Sequence, residues 1–197
     1  MTAVGITVRR AVIADIHAIL ELINSYAANG IMLPRTEFEM AENIRDFSVA
    51  YDDDGKLLGC GALHFYTPTT AEVRSLAVRP ELKQHGVGRA IVESLEKEAR
   101  ENDLESIFAF TYAPGFFSKV GFGEIERGEL PLKAWKDCLR CPKFQNCDEI
   151  AVLKRLRPAD PHPSPAFEQH DSFGLFQIEP TLLPRIAPDI EQKKRKY

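Results

Sequence analysis

The chain has 197 residues, of which 44% are hydrophobic and 27% charged, a composition typical of a globular protein with a sizeable core. Its net charge of -4 at pH 7 argues against a nucleic-acid-binding protein, because phosphate binding requires a basic surface. No apolar run approaches the roughly 18 residues that cross a membrane, and no secretory leader is evident. We therefore expect a cytoplasmic protein without nucleic-acid or membrane partners.

Hydrophobic spacing and turn residues predict both strands and helices in the first third of the chain. In chain order these are a strand over residues 6–9, a helix from Asp15 to Asn29-Gly30, a helix from Glu37, and hairpin strands Phe47–Tyr51 and Leu57–Phe65 around Asp54-Gly55. Asp15 is expected to cap the first helix, and Thr36 with Glu39 forms a capping box for the second. Gly59 and Gly61 predict close packing or a bulge in the second hairpin strand.

The later elements alternate between strands and helices. They are a strand Glu72–Val78, a glycine turn at 86–88, a helix to about Arg100, a strand Ile107–Thr111, a short helix Phe116–Lys119 and a strand Ile150–Leu153. Ile107–Thr111 is apolar almost throughout, which predicts a central strand. Seven of the 13 prolines lie between Pro158 and Pro188. We therefore expect an α/β domain over residues 1–156 and a Pro-rich extension over residues 157–197, which docks on the domain or on a partner subunit.

The segment Gln84-His85-Gly86-Val87-Gly88-Arg89 stands between a predicted strand and a predicted helix. The first turn of a helix presents unpaired N–H groups, and glycine lets an anion approach the backbone closely. A dinucleotide fingerprint is excluded because Ile91 stands where its third glycine belongs, and a Walker loop is excluded because Arg89 and Ala90 follow Gly88. The turn alone fits either a phosphate site or a tight turn into a core helix.

Four segments resemble conserved blocks of the GNAT acetyltransferases and occur in the superfamily's order. They are Val8-Arg9-Arg10-Ala11 with Asp15, Arg74–Pro80, Lys83–Gly88 and Phe116–Phe122. The resemblance covers about residues 5 to 155 and implies a GNAT fold, in which helices flank a mixed, twisted central sheet. It also implies an N-acetyltransferase that uses acetyl-CoA as co-substrate and requires no metal.

The same resemblance assigns the acetyl-CoA site to the central strand and the glycine turn. The residues implied are Leu76, Ala77, Val78, Lys83, Gln84, His85, Gly86, Val87, Gly88 and Arg89. A backbone N–H near Leu76 would polarise the thioester carbonyl, and Glu72 would act as the base through water. Many members have a tyrosine where Phe117 stands, to protonate the leaving thiolate, and Tyr112 is the nearest substitute. The alternatives are that Glu72 is a solvated strand residue and that Tyr112 is an aromatic closing a strand end.

Two segments are similar to bacterial N-acetylglutamate synthases. Tyr26–Arg35 resembles their acceptor segment, and Leu130–Pro142 resembles the short forms that consist of the acetyltransferase domain alone. The similarity implies L-glutamate as acceptor and the first step of arginine biosynthesis. The sequence leaves the oligomeric state open, with a homodimer as one possibility. Two carboxylates need cations with fork geometry, and Arg35 matches a carboxylate-binding arginine of the synthases. The candidates for the second carboxylate are Arg74, Lys133, Lys136 and Arg140.

The spacing Cys138-x-x-Cys141, with Cys147 further on, is one in which cysteines can share a metal. A second matched pair, as in the usual zinc pattern, is missing from the sequence. We therefore expect reduced thiols and no metal.

Three functions stay open at this level. The first is glutamate acetylation, the second is acetylation of another amino acid or a protein amine by a GNAT enzyme, and the third is a catalytically weak acyl-CoA-binding module. Phe117, in place of a proton donor, supports the third. The basic residues near Arg35 disfavour polyamine acceptors, which are themselves cations.

Overall fold

The computed structural model describes residues 5–130 and 146–157, and within them seven strands form one mixed sheet. The strands are β1 (Thr7–Arg10), β2 (Phe47–Tyr51), β3 (Leu57–Phe65), β4 (Thr70–Val78), β5 (Ser106–Thr111), β6 (Gly123–Glu124) and β7 (Ile150–Arg155). The helices are α1 (Ile16–Ala27), α2 (Glu37–Asn43), α3 (Val87–Glu101) and α4 (Pro114–Lys119). Across the sheet the order is β1-β2-β3-β4-β5-β7-β6, which confirms the predicted fold class and the interior position of β5.

Local sequence signals set the start of α2 as predicted. Thr36 Oγ1 accepts a hydrogen bond from the Glu39 N–H at 3.2 Å, and the Glu39 carboxylate accepts from the Thr36 N–H at 3.0 Å. The prediction that Asp15 caps α1 is wrong. Its carboxylate accepts from the Val12 N–H at 2.8 Å and from the Arg9 guanidinium at 2.7 Å, so it ties the chain before α1 to β1.

Helices cover both faces of the sheet. α3 buries Val87, Ile91 and Leu95 against one face, and α1 buries Ile19 and Ile23 against the other. The spacing of these apolar positions turns one side of each helix toward the sheet. Each fully buried aliphatic side chain contributes about 1.5–3 kcal/mol, so the two layers hold the central strands firmly between them. None of the described helices is both long and apolar enough to cross a membrane.

The central strands β4 and β5 are parallel but pair over three residues only, Thr70–Glu72 with Ser106–Phe108. Beyond Glu72, β4 contains a bulge, because its register with β3 passes from Arg74↔Ala62 to Ala77↔Cys60. Ser75, in the bulge, has a positive φ of 53°. The bulge bends β4, and the ends of β4 and β5 line opposite parts of one cleft.

A glycine is required opposite this bulge. A Cβ at Gly61 would lie 2.9 Å from the Ile91 side chain and 3.1 Å from the Leu76 side chain. Because the first distance is shorter than real Cβ contacts and the second is tighter than most, a larger residue there would require Ile91 of α3 or Leu76 of β4 to shift. The close packing predicted at this position is therefore confirmed.

Candidate active site

A cleft of about 790 Å³ opens where β4 and β5 part. Its walls come from the end of α1 and the segment that follows it, the second half of β4, the turn before α3, the end of β5 and the start of α4. Arg127, Cys147 and Glu149, which precede β7, complete the lining. The cleft therefore joins the two regions that the sequence assigns to donor and acceptor.

The turn before α3 has the geometry of an anion site. Gly86, the N-cap residue, has a φ of 87°, and Gln84 has a φ of 70°. Ala90 is the first residue whose N–H bonds back within the helix, to the Gly86 carbonyl at 2.9 Å. The N–H groups of the preceding residues 86–89 therefore point out of the helix end, where the positive end of the dipole lies. This arrangement suits the pyrophosphate of a coenzyme.

The predicted coenzyme residues divide into two groups. Those that line the cleft are Leu76, Ala77, Val78, Lys83, Gln84 and Gly88. The others contribute backbone to the turn while their side chains lie elsewhere. Val87 is buried in the core, and the exposed His85 ring contacts the Lys83 carbonyl at 2.9 Å. The Arg89 guanidinium donates to the Lys119 carbonyl at 3.1 Å.

Tyr26, the first residue of the predicted acceptor segment, contacts two residues of the predicted donor site. Its hydroxyl donates to the Val78 carbonyl at 2.5 Å, and the Lys83 ammonium lies 5.3 Å from the centre of its ring. A carbonyl oxygen has two lone pairs, so the Val78 carbonyl can accept a second hydrogen bond beside that of Tyr26.

Glu72 is the last β4 residue paired with β5, and it lines the cleft although it is only 8% exposed. Tyr66 donates its hydroxyl to Glu72 Oε2 at 3.0 Å. The ring of Tyr66 in turn packs edge-on against His64, with 5.0 Å between the ring centres. A carboxylate that is oriented by a hydrogen bond where β4 and β5 separate is suited to accept a proton.

The predicted acceptor arginines have different surroundings. Arg35 lines the cleft, and its backbone is bound by the side chain of Asn24. Arg74 also lines the cleft, but its side chain is only 11% exposed and its Nη2 lies 3.1 Å from His64 Nδ1 and 3.8 Å from Asp46. Asp46 and His64 thus hold the Arg74 guanidinium against the sheet. The remaining candidates, Lys133, Lys136 and Arg140, lie outside the described residues.

Two aromatic residues, Phe117 and Tyr112, stand at the positions considered for the donor that protonates the leaving thiolate. Phe117 is buried at the cleft wall between Phe116 and Phe122, with ring centres 5.3 and 5.1 Å away. Tyr112 also lines the cleft, is 40% exposed, and donates its hydroxyl to Asp148 Oδ1 at 2.8 Å. Both residues line the cleft, but only Tyr112 carries a hydroxyl, and Asp148 accepts its hydrogen bond.

The cysteines divide between core and cleft. Cys147 lines the cleft, whereas burial raises the pKa of the Cys60 thiol to about 12, so Cys60 stays protonated. Among residues 5–130 and 146–157, three or more His, Cys, Asp or Glu side chains are nowhere grouped to hold a metal. Cys138, Cys141 and the extension from residue 158 onward lie outside the described residues.

Comparison with known sequences gives a consistent set of relatives. The model of the acetyltransferase (GNAT) family matches residues 15–122. An uncharacterized N-acetyltransferase of Chlorobaculum tepidum is 45% identical over 156 residues, which are 79% of this chain and 100% of the relative. The amino-acid acetyltransferase of Mycobacterium tuberculosis is 40% identical over 135 residues, which are 68% of this chain and 77% of the relative.

Solved structures agree with the sequence relatives. N-acetylglutamate synthase from Neisseria gonorrhoeae, complexed with coenzyme A and N-acetyl-glutamate, superposes with a TM-score of 0.71 at 26% identity. The match covers 80% of this chain but only 36% of the synthase. A Mycobacterium tuberculosis protein in complex with CoA superposes with a TM-score of 0.66 at 32% identity and covers 77% of this chain and 99% of its own.

Proposed function

The chain belongs to the acetyltransferase (GNAT) family, and from that premise we propose that it transfers an acetyl group from acetyl-CoA to the α-amino group of L-glutamate. The chain is an N-acetyltransferase with acetyl-CoA as donor, and its acceptor is an amino acid. More specifically, we propose that the acceptor is L-glutamate and the product N-acetyl-L-glutamate. This reaction is the first step of arginine biosynthesis. The observation that carries it is a single cleft with a phosphate-binding turn at one end and Arg35 and Glu72 lining it.

The proposed reaction is a direct attack in a ternary complex. The pyrophosphate lies on the N–H groups of the turn at 86–89, and the thioester lies along the second half of β4. Glu72 accepts the proton of the glutamate amine through water, which leaves a lone pair for attack on the acetyl carbonyl. A backbone N–H near Leu76 stabilises the oxyanion, and Tyr112 protonates the leaving thiolate. Each step uses a group at the wall of the cleft.

The acceptor proposal uses charge complementarity. Glutamate carries two carboxylates, and a planar guanidinium binds a carboxylate through two parallel hydrogen bonds. Arg35 at the cleft wall is the proposed ligand of one carboxylate. The similarity to an amino-acid acetyltransferase and to an N-acetylglutamate synthase complexed with N-acetyl-glutamate supports an acidic amino acid as the acceptor.

The test is the release of free thiol from acetyl-CoA by the full-length chain with a panel of amino acids, a polyamine and a peptide N-terminus. The proposal predicts release that depends on glutamate and a product with the mass of N-acetyl-glutamate. If thiol is released with another amine but not with glutamate, that amine is the acceptor and the glutamate proposal is wrong. Binding of acetyl-CoA without thiol release under any condition would leave only the acyl-CoA-binding module.

A further inference from the structure

Arg127 is a cation of the cleft that no sequence pattern singled out. It opens the short helical turn Arg127–Glu129, is half-buried, and lines the cleft. Its Nη2 donates to the backbone carbonyls of Cys147, at 3.2 Å, and of Glu149. Both carbonyls belong to the segment just before β7, so Arg127 is fixed on the β5 and β7 side of the cleft.

The two carbonyls orient the Arg127 guanidinium without neutralising it. A guanidinium has five N–H donors, and the described contacts occupy only its Nη2. Within the described residues, Arg127 has no carboxylate at ion-pair distance. The Glu149 side chain, which also lines the cleft, accepts from Cys147 Sγ at 3.8 Å. A half-buried cation with remaining N–H donors is suited to bind an anion such as a carboxylate.

Arg74, a candidate from the sequence for the second carboxylate, differs from Arg127 because a carboxylate already lies beside its guanidinium. Asp46 lies 3.8 Å from its Nη2 and compensates its charge, and Asn43 and His64 lie within 3.4 Å of the same nitrogen. Its side chain is also only 11% exposed. A carboxylate of the acceptor would have to compete with Asp46 for Arg74, whereas at Arg127 it meets no competing carboxylate among the described residues.

We infer that Arg127, and not Arg74, binds the second carboxylate of the acceptor and so selects dicarboxylic amino acids. The inference rests on the proposed function, because it requires an acceptor with two carboxylates. Arg35 holds one carboxylate and Arg127 the other, and both residues line the same cleft. Planarity matters as well as charge, because only a guanidinium offers two parallel donors.

The experiment compares glutamate with its two monoamides, glutamine and isoglutamine, each of which lacks one carboxylate. In the wild-type chain, kcat/KM for glutamate exceeds that for both monoamides. In Arg127→Gln the value for glutamate falls about 10–100-fold, as expected for a lost charged hydrogen bond. The value for one monoamide stays nearly unchanged, so the preference for glutamate over that monoamide collapses. Arg127→Lys retains part of the preference because it keeps the charge.

Controls separate binding from folding. Arg45→Gln removes the same charge from another short helical turn, at an exposed position outside the cleft, and leaves all three kcat/KM values unchanged. The KM for acetyl-CoA and the Tm of Arg127→Gln stay within the range of this control. If both preferences persist in Arg127→Gln, or if the wild-type chain does not discriminate between glutamate and either monoamide, Arg127 does not bind the acceptor.

The experiment distinguishes a wrong role for Arg127 from a wrong acceptor in the proposed function. If the wild-type chain does not acetylate glutamate but acetylates another amino acid, the proposed acceptor is wrong. Arg127 is then tested with that acceptor: an acceptor without a second anionic group overturns the inference, and an acceptor with one must lose its preference in Arg127→Gln.

Discussion

Asn24 binds both backbone polar groups of Arg35. Its Nδ2 donates to the Arg35 carbonyl at 3.0 Å, and its Oδ1 accepts from the Arg35 N–H at 2.9 Å. An amide side chain is the neutral group that supplies one donor and one acceptor in this geometry. The contact fastens the end of the segment between α1 and α2 to α1, and so fixes where Arg35 enters the cleft.

Loss of the Arg35 guanidinium is expected to weaken acceptor binding. Arg35→Ala should raise the KM for glutamate about 10–100-fold, because a charge-assisted hydrogen bond to a carboxylate contributes about 1.5–3 kcal/mol. The KM for acetyl-CoA should stay near the wild-type value, since the donor binds at the turn before α3. An unchanged KM for glutamate would remove Arg35 from the acceptor site.

Asn24→Ala should raise the KM for glutamate by about 5–10-fold, because it removes both hydrogen bonds to the Arg35 backbone. The decisive measurement is the double variant: in the Arg35→Ala background, the Asn24→Ala substitution should have no further effect on the KM for glutamate. Additive effects would mean that Asn24 acts independently of Arg35. Asn29→Ala, which removes an exposed side-chain bond to the Ser25 carbonyl, is the matched control.

Glu72→Gln should lower kcat by about 10²–10⁴, the usual contribution of a positioned base. Raising the pH should restore part of the rate, because the amine then loses its proton to the solvent. Tyr66→Phe keeps the carboxylate and removes only its hydroxyl partner, so its loss should stay below about tenfold. A full rate in Glu72→Gln at neutral pH would show that another group accepts the proton.

Gly88→Ala should weaken donor binding. A Cβ at residue 88 would lie 3.3 Å from the Phe116 ring and 3.5 Å from Val78, in the first turn of α3. It would also fill the space through which the pyrophosphate approaches the backbone. We expect the KM for acetyl-CoA to rise about tenfold with little change for glutamate. Gly123→Ala, where a Cβ meets nothing within 4 Å, should leave both KM values unchanged.

Asp15 should make stability depend on pH. The hydrogen bonds from Arg9, the Val12 N–H and Tyr51 lower the pKa of Asp15 from 3.8 to about 2 in the folded chain. Because the folded pKa is the lower one, the stabilisation is complete above about pH 4 and is lost as the pH falls toward about 2. Asp15→Asn should therefore lower the free energy of unfolding by about 1–2 kcal/mol at neutral pH, since Arg9 is half exposed and partly screened.

Urea denaturation of Asp15→Asn and wild type between about pH 7 and pH 3 measures this difference. The gap between the two chains should narrow as the solution becomes more acidic. Asp53→Asn, at an exposed residue of the β2–β3 hairpin, is the control and should match the wild type throughout. A gap that stays constant over the whole range would mean that Asp15 acts through packing and not through its charge.

The sequence predicted those features that depend on neighbouring residues. The capping box of Thr36 and Glu39 and the hairpin turn at Asp54-Gly55 involve residues three or four apart, and the structure confirms both. Asp15 was assigned the wrong role because its carboxylate binds Arg9 and the Val12 N–H, which precede the helix, and also Tyr51, 36 residues away. A sequence pattern shows which polar residues stand near the start of a helix, but it does not show which other groups of the folded chain bind them.

The acceptor side was harder to predict for the same reason. Arg74 matched a strand of the family, yet its environment depends on Asp46, brought beside it by the packing of β2 and β3 against β4. Arg127 stands outside every quoted motif, and its position in the cleft depends on the residues before β7. In contrast, the turn at 86–89 could be predicted because one short segment contains both its glycines and the start of its helix.

The short pairing between β4 and β5 also has a mechanical consequence. The sheet consists of two parts, β1–β4 and β5–β7, joined directly by the ladder of Thr70–Glu72 and Ser106–Phe108. A substrate that contacts both walls bridges the two parts beyond that ladder and acts as an additional cross-link in the sheet. Binding energy then adds to the stability of the fold, so acetyl-CoA at a hundred times its Kd should stabilise the folded chain by about 2.7 kcal/mol.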